Sequence, residues 1–359
     1  MTQRPRDRAA GGSLPADANR QAAARECVVI GAPTGAFAWS LDAITTLAKP
    51  VTDVALRPLD RTDALKPVAG KRNIYLSRVP GAAIIEAIAS GALKPLLVVE
   101  DPVSGVEFQM RQEKRKLVEA IRAHTAAAVA NPFIAAARDP LIVQSDPRFM
   151  AADWVRFLAE ALALPSDAET VAGVLKALGT TTAARLEEAI TRRYPAQAAL
   201  RGEPSLLDDG ARAQVRSVLE PMLAAAFRGH QRPVVWPTSA FLWGDRPNDP
   251  APLVADLLGP ARVIYYGPYY HLPPGLWSAE LALEFGGLIE DLEFSLEVIA
   301  GDLLSRMIIG PRPSGRYLAR FRFRHKDPVQ PIEVRLRSER GAIDGTISLV
   351  ELRLDRADG

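Results

Sequence analysis

The sequence predicts two folded parts: an α/β domain built on a parallel sheet, with a helical extension, and then an antiparallel β-sandwich. Three observations predict this fold class. Short apolar strands alternate with helical stretches over residues 27–165, residues 166–229 are rich in Ala, Leu, Glu and Arg without a strand pattern, and apolar and polar residues alternate beyond residue 262. A chain of 359 residues is also longer than one ordinary domain, so two or three structural units are expected.

The first 25 residues form a tail rich in Arg, Ala, Gly, Pro and Asp, and its lack of an apolar run predicts disorder. The net charge is only +2, from 44 basic and 42 acidic residues, which argues against a dedicated nucleic-acid binder. No apolar segment has the length of a membrane span, so no transmembrane segment is expected. The one cysteine, Cys27, lies within an apolar strand, which argues against a disulfide framework and predicts a cytoplasmic protein.

The α/β domain is expected over residues 26–229. Its strands are predicted at 27–30, 73–79, 95–102 and 140–146, with a helix at 82–91 and a long helix over 106–130. Asp101 is expected to cap the helix that follows it. His124 shares the apolar face of the long helix with Leu117 and Ile121, so a packed histidine is favoured over a general base.

A proline-rich connector is expected over residues 230–261, and the sandwich over residues 262–356. Roughly seven strands are predicted for the sandwich. The clearest alternation lies at 276–285, 292–300, 315–325, 332–339 and 345–354. Each segment has one apolar and one polar face and is bounded by Gly, Pro or Asp, which is typical of antiparallel sheets.

A strand, a tight turn and a helix follow one another in ECVVIGAPTGAFAWSLDAI, residues 26–44. The turn, residues 31–35, aims free backbone N–H groups of the helix at its crook, where an anion would fit. No Lys or Arg stands in the turn. Two interpretations therefore stay open: a phosphate site, or a plain strand-to-helix connection.

This segment, together with LLVVEDPVSGVEF (96–108) and PLIVQSDPRFMAADWVRFLAEALALPSD (140–167), resembles P-loop sulfotransferases. The resemblance covers roughly residues 26–170, and the closing helix around Trp154 is its best match. It implies a transferase that uses phosphoadenosine phosphosulfate. The cofactor-binding residues that it implies are Gly31, Pro33, Thr34 and Gly35. The cation missing from the turn could come from a neighbouring element, as Arg78, Arg111 or Arg115, and Arg78 is the one assigned to the cofactor site.

The sequence departs from the family at both cofactor motifs. The family's turn carries a Lys or Arg before Ser-Gly-Thr-Thr, whereas this chain has Thr34 and Gly35 followed by Ala36. The family's second motif is Arg-(Asp/Asn)-Pro, whereas Glu100 here precedes Asp101 and Pro102 and places a carboxylate where a phosphate would lie. Fixed cations stabilise the charge that sulfonate transfer develops, so these departures weaken the case for catalysis.

Two groups of side chains in the C-terminal part suggest binding to a glycan. Tyr269, Tyr270 and Trp277 belong to the aromatic stretch VIYYGPYYHLPPGLW, and flat rings with polar edges suit sugar faces; sealing of the seam between domains is the alternative. A second group, Arg320, Arg322 and Arg324, shares the polar face of one strand, and would join Arg335 and Arg337 if the two strands paired. Guanidinium groups bind carboxylates and sulfates, so the expected partner is an acidic glycan or an acidic protein surface.

The sandwich also looks similar to accessory jelly-roll or carbohydrate-binding modules of bacterial surface-polysaccharide enzymes. The leading interpretation is therefore a sulfotransferase-like, diverged transferase in the synthesis or modification of a bacterial surface polysaccharide. A non-catalytic glycan-binding or assembly protein that has lost its cofactor site is the alternative. Nucleotide-dependent regulation is a third. No catalytic base is identified, and no cluster of His, Cys or carboxylates at ligand spacing predicts a metal site.

Overall fold

The computed structural model describes residues 26–59, 64–229, 232–287, 292–312 and 314–357. The disordered tail predicted for residues 1–25 lies outside these ranges. Within them the chain forms a parallel sheet flanked by helices and, after a helical section, two antiparallel sheets. This confirms the predicted fold class.

The parallel sheet has five strands: β1 (Cys27–Gly31), β2 (Val54–Leu59), β3 (Arg72–Ser77), β4 (Lys94–Val99) and β5 (Leu141–Gln144). Their order is β2-β3-β1-β4-β5, and every pair is parallel. Every residue of β1 is buried because helices cover both faces of the sheet. Connections from β1 and β4 run in opposite directions along the sheet, so their carboxyl ends meet at a topological switch point, where such sheets commonly bind ligands.

Ten α-helices occur in the described ranges: α1 (Gly35–Ala48), α2 (Ala82–Ala89), α3 (Pro102–Glu113), α4 (Leu117–Ala128), α5 (Asn131–Ala136), α6 (Ala151–Ala161), α7 (Ala168–Ala177), α8 (Leu186–Arg193), α9 (Pro195–Gly202) and α10 (Asp209–Arg228). Val29 faces an apolar cluster that includes α1, α6, α7 and α8. Val28 and Ile30 point the other way, into a cluster that includes α2 and α5. Successive side chains of β1 therefore pack against the helices on opposite faces of the parallel sheet.

The long helix predicted over residues 106–130 is in fact two helices, α3 and α4. Lys114 adopts a left-handed conformation, with a φ of 57°, and ends α3. The side chain of Glu119 accepts a hydrogen bond from the Lys116 N–H at 3.2 Å, which fixes the start of α4. Asp101 caps α3 as predicted, because its Oδ1 accepts a hydrogen bond from the Ser104 N–H at 2.9 Å.

The C-terminal sandwich consists of a six-stranded and a five-stranded antiparallel sheet. Its strands are β6 (Val234–Pro237), β7 (Leu242–Trp243), β8 (Ala255–Asp256), β9 (Val263–Tyr266), β10 (Pro268–Tyr270), β11 (Gly275–Gly286), β12 (Phe294–Ala300), β13 (Asp302–Ile309), β14 (Gly315–His325), β15 (Ile332–Ser338) and β16 (Thr346–Arg356). The larger sheet has the order β13-β12-β15-β9-β7, with β10 paired to β15. The smaller has the order β14-β11-β16-β6, with β8 paired to β16.

Strands β6, β7 and β8 lie within the segment expected as a connector, and they pair with strands of the sandwich. Val234 and Trp236 are fully buried in β6, which ends at Pro237. The strands in this segment are short and separated by prolines, so their alternation is too brief to identify from sequence. The limits of the predicted domains stay a prediction.

One apolar cluster continues from the helical section into the sandwich. Val215, Leu219 and Met222 of α10 belong to the same buried cluster as Trp236 and Tyr270. The rings of Trp236 and Tyr270 meet edge to face, with centroids 5.7 Å apart. The helical section and the sandwich therefore share a core, and α10 holds the sandwich beside the parallel sheet.

Candidate functional site

The turn after β1 is capped by side chains of the protein itself. The Thr34 Oγ1 accepts a hydrogen bond from the Phe37 N–H at 3.2 Å, and the Glu100 Oε2 accepts one from the Ala36 N–H at 2.9 Å. Burial raises the pKa of Glu100, while the hydrogen bonds from Ala36, Thr34 and Gln197 partly offset that rise. Two of the N–H groups that an anion would need at the start of α1, those of Ala36 and Phe37, therefore already donate to side chains of the protein.

The glycines of this turn allow close packing. A Cβ atom on Gly31 would overlap the ring of Phe37, which is fully buried. A Cβ atom on Gly35 would lie 2.6 Å from the Gln197 Oε1 and 3.0 Å from the Ile190 Cγ2. Packing thus accounts for both glycines without a bound phosphate.

His124 lies behind the turn and is 4% exposed, in agreement with the prediction of a packed side chain. Its Nδ1 is 2.9 Å from the Ala120 carbonyl oxygen, one turn earlier in α4. Loss of hydration on burial lowers the pKa of His124 to about 4, so the ring is neutral at physiological pH. No partner of its Nε2 is found in the part of the chain that the structure describes.

An open groove runs along the carboxyl ends of β1, β2 and β3. It has a volume of about 650 Å³ and is lined by Thr34, Arg78, Phe108 and Tyr194, among others. A second part, of about 520 Å³, shares the lining residues Pro33, Arg78 and Val79 with the first and reaches Tyr269 of the sandwich. The groove therefore spans from the parallel sheet to the sandwich.

Two arginines of this groove form no ion pair with a carboxylate of the described residues. Arg78 is exposed, and it makes no hydrogen bond or ion pair within the described ranges. Arg122 is half-buried; its Nε donates a hydrogen bond to the Pro268 carbonyl oxygen at 2.7 Å, and its guanidinium carbon lies 4.9 Å from the centre of the Tyr269 ring. Burial lowers the pKa of Arg122, although a guanidinium remains a cation at physiological pH.

The three aromatic residues predicted to bind a glycan have different positions. Tyr269 lies at the groove, half-buried, and its ring meets that of Tyr266 edge to face at 6.3 Å. Tyr270 and Trp277 are fully buried in the shared core. Tyr270 accepts a hydrogen bond from the Gln214 Nε2 at 3.1 Å, so this ring seals the seam between α10 and the sandwich.

The predicted basic strand face exists, but it does not extend onto a neighbouring basic strand. Arg320, Arg322 and Arg324 are exposed on β14, and the apolar residues between them face inward. β14 pairs with β11, whereas β15, which carries Arg335 and Arg337, belongs to the other sheet. The expected joint surface of five or six guanidinium groups is therefore absent, because which strands pair depends on the topology of the whole sandwich.

Carboxylates on β11 also reduce the positive charge of that face. The Arg320 Nε lies 2.7 Å from the Glu280 Oε1, and Arg316 is opposite Glu284 in the strand register. Both arginines are exposed, and exposed ion pairs of this kind are weakly stabilising. The face thus carries both signs of charge.

Two further kinds of feature are absent from the described ranges. No cluster of three or more His, Cys, Asp or Glu side chains among those residues could hold a metal ion. None of the helices found there combines the length and apolar character needed to cross a membrane.

No protein-family model and no curated protein matches this chain. Solved structures do match, and one of them is the carbohydrate-binding module TmCBM61 in complex with β-1,4-galactotriose, with 12% identity and a TM-score of 0.22. This match covers 28% of this chain and 66% of that module, which is slightly under two thirds of the module's length. The CBM36-1 domain of a multidomain xylanase from the hindgut metagenome of Trinervitermes trinervoides matches with 12% identity and a TM-score of 0.21, covering 29% of this chain and 78% of that domain.

The C-terminal CBM6 of LamC, a marine laminarinase from Zobellia galactanivorans, also matches with 12% identity and a TM-score of 0.22, covering 35% of this chain and all of that module. The C-terminal sandwich thus resembles carbohydrate-binding modules in architecture. At these identities the similarity concerns the fold alone, and at these TM-scores it supports no conclusion about binding. The sulfotransferase resemblance receives no support from these structures or from a family model.

Proposed function

We propose that this protein binds a glycan in the groove between its parallel sheet and its sandwich, and that it does not transfer a sulfonate group. The observation that carries the proposal is that the turn after β1 is filled by the carboxylate of Glu100, while the groove beside it is open. A donor anion would thus find the turn occupied by a side chain, whereas a glycan would find an open groove beside it.

The filled turn argues against a bound phosphosulfate. The Glu100 side chain accepts the Ala36 N–H at 2.9 Å, so a donor anion would have to displace a tethered carboxyl group from that N–H. The cation that the sulfotransferase family carries in this turn is absent, and Arg78 is the one basic residue among those that line the first part of the groove. Stabilisation of the charge that develops in sulfonate transfer would therefore fall on a single exposed side chain.

The groove has the chemistry that a polar oligomer requires. Its first part, of about 650 Å³, lies in the size range of ligand sites. Gln112 offers a donor and an acceptor along it, and Tyr269 offers a ring at its far end. Asp42 also lines it, although its Oδ2 already accepts hydrogen bonds from Arg193 and Tyr194. Sugar hydroxyls bind to such side chains, and sugar faces pack against such rings. A role in a bacterial surface polysaccharide, and a cytoplasmic location, remain predictions.

Thermal unfolding of the full chain, with and without ligands, tests this proposal. The panel contains β-1,4-galactan, xylan and laminarin oligosaccharides, oligogalacturonate, and phosphoadenosine phosphate. A ligand at one hundred times its dissociation constant stabilises the fold by about 2.7 kcal/mol, which is readily measured. We expect an oligosaccharide to raise the melting temperature and phosphoadenosine phosphate to leave it unchanged.

A variant that fills the groove locates the binding. Ala38 lies on α1, half-buried, and lines the first part of the groove, so Ala38→Trp should abolish the stabilisation by an oligosaccharide. Ala172→Trp, on the exposed side of α7, is the matched control and should retain it. Stabilisation by phosphoadenosine phosphate without stabilisation by any oligosaccharide would reject the proposal in favour of a nucleotide-binding protein.

A further inference from the structure

We propose that Arg122 is the anion-recognising residue of the groove and binds a carboxylate or sulfate group carried by the glycan. This inference rests on the proposed function and names the class of glycan: an acidic one. The acidic group would then bind to Arg122 in the groove, with Arg78 as a second cation nearby. It would not bind to the exposed face of β14, which carries Arg320, Arg322 and Arg324.

The guanidinium of Arg122 is held in place before any ligand arrives. Its Nε donates a hydrogen bond to the Pro268 carbonyl oxygen at 2.7 Å, and its plane lies near the Tyr269 ring, 4.9 Å from the ring centre. Both contacts come from the sandwich, whereas Arg122 belongs to α4. The side chain therefore loses little freedom when it binds a ligand, which favours affinity.

The two Nη groups of this guanidinium have no acceptor among the described residues. Nη1 and Nη2 make no hydrogen bond to any residue in the described ranges, and Arg122 lines the second part of the groove, of about 520 Å³. With Nε occupied, the two Nη groups present an edge that matches the two oxygens of a carboxylate or a sulfate. Glu119 attracts this half-buried cation but forms no ion pair with it within the described ranges. An acidic ligand would supply a counter-ion in direct contact with the guanidinium.

The other charges of this part of the groove are already partly engaged. Glu113 forms an ion pair with Arg115 at 2.7 Å, and it accepts a hydrogen bond from the Gln109 Nε2 at 3.3 Å. Glu119 accepts the Lys116 N–H that starts α4. Arg78 and Arg122 therefore remain as the cations that can bind an anion in this part of the groove. His271 also lines it, but that side chain is buried, with 4% of its surface exposed.

Calorimetric titration of the full chain with oligogalacturonate and with its methyl ester tests the inference, because the two ligands differ in charge and share the same sugar backbone. We expect the acid to bind at least about ten-fold more tightly than the ester, the difference that charge-assisted hydrogen bonds supply. Arg122→Gln and Arg122→Lys should each reduce that preference, since neither side chain offers the fork, and leave affinity for the ester unchanged.

Two further variants make the result decisive. Arg78→Gln changes an exposed side chain without partners in the described ranges, so we expect the variant to fold and to bind the acid more weakly than the parent does. It therefore tests the inference even if the Arg122 variants unfold. Arg322→Gln, on the exposed face of β14, is the matched control and should bind as the parent does. A loss of affinity in Arg322→Gln, or unchanged affinity in Arg122→Gln and Arg78→Gln, would overturn the inference.

Additional ligands distinguish the sources of the anion. Sulfated carrageenan oligosaccharides that bind with the same dependence on Arg122 would support the shared oxyanion chemistry. Inorganic sulfate or oligoglutamate binding as tightly as the acidic sugar would overturn the assignment to a glycan. If the ester binds as well as the acid, this inference fails and the proposed function stands, whereas if no oligosaccharide binds, both fail.

Discussion

Replacement of Glu100 tests the interpretation of the filled turn. Glu100→Gln keeps an oxygen that can accept the Ala36 N–H, whereas Glu100→Ala removes it, so the two variants separate the hydrogen bond from the charge. Ala36 is fully buried, and a buried N–H without an acceptor costs about 1–3 kcal/mol. We therefore expect Glu100→Ala to be about 1–3 kcal/mol less stable than Glu100→Gln.

The effect of the charge depends on pH. The pKa of Glu100 is raised by burial, so the unfolded chain ionises at a lower pH than the folded one. The contribution of this group to stability is then greatest below the ordinary pKa of glutamate and is lost as the pH rises through the folded pKa. Glu100→Gln lacks this titration, so its stability relative to the parent should increase with pH.

Urea unfolding at pH 5 and pH 8, followed by tryptophan fluorescence, measures both effects. Trp39, fully buried in α1, reports on the element whose start is altered. Sulfate should stabilise Glu100→Ala more than the parent, because the vacated helix terminus can bind an anion. Equal stability of the two variants, with no response to sulfate in either, would refute the claim that Glu100 fills an anion position.

Three further predictions concern packing, pH and the shared core. Gly31→Ala should cost about 1–3 kcal/mol in thermal or urea unfolding, because a Cβ there would overlap a buried ring; a neutral effect would contradict that packing. His124→Gln should flatten the loss of stability between pH 6.5 and pH 4, since the pKa of His124 is lowered to about 4 and the unfolded chain takes up the proton first; an unchanged pH profile would contradict this. A fragment of residues 232–359 should lack a cooperative thermal transition, while one that begins at 205 and includes α10 should regain it; cooperative unfolding of the shorter fragment would show that the core divides.

Local patterns predicted much of this fold. The alternation in β11 and β14 identified their inner and outer faces, and the apolar run from Cys27 identified a strand buried on both sides. Asp101, followed by proline, correctly predicted a helix cap. In each case the signal lies within a few residues, because side-chain direction follows from the local period.

Long-range pairing could not be obtained in the same way. The prediction that Arg320 and Arg335 share a surface depended on which strands pair, and β14 and β15 belong to different sheets. Arg122 was not singled out, because the residues that hold it, Pro268 and Tyr269, lie almost 150 residues further along the chain. Similarly, the aromatic stretch does not show that Tyr269 lies at the groove and Tyr270 in the core. Adjacent residues of a strand point to opposite sides, and which side faces the groove depends on how the whole chain folds.

The most direct test of the account is one calorimetric comparison on the full chain: oligogalacturonate against phosphoadenosine phosphate, each titrated into the parent and into Ala38→Trp. The account predicts heat of binding for the oligosaccharide, its loss in Ala38→Trp, and no binding of the nucleotide to either protein. Micromolar binding of phosphoadenosine phosphate to the parent, with no heat from the oligosaccharide, would contradict the central claim that this groove holds an acidic glycan beside a filled turn.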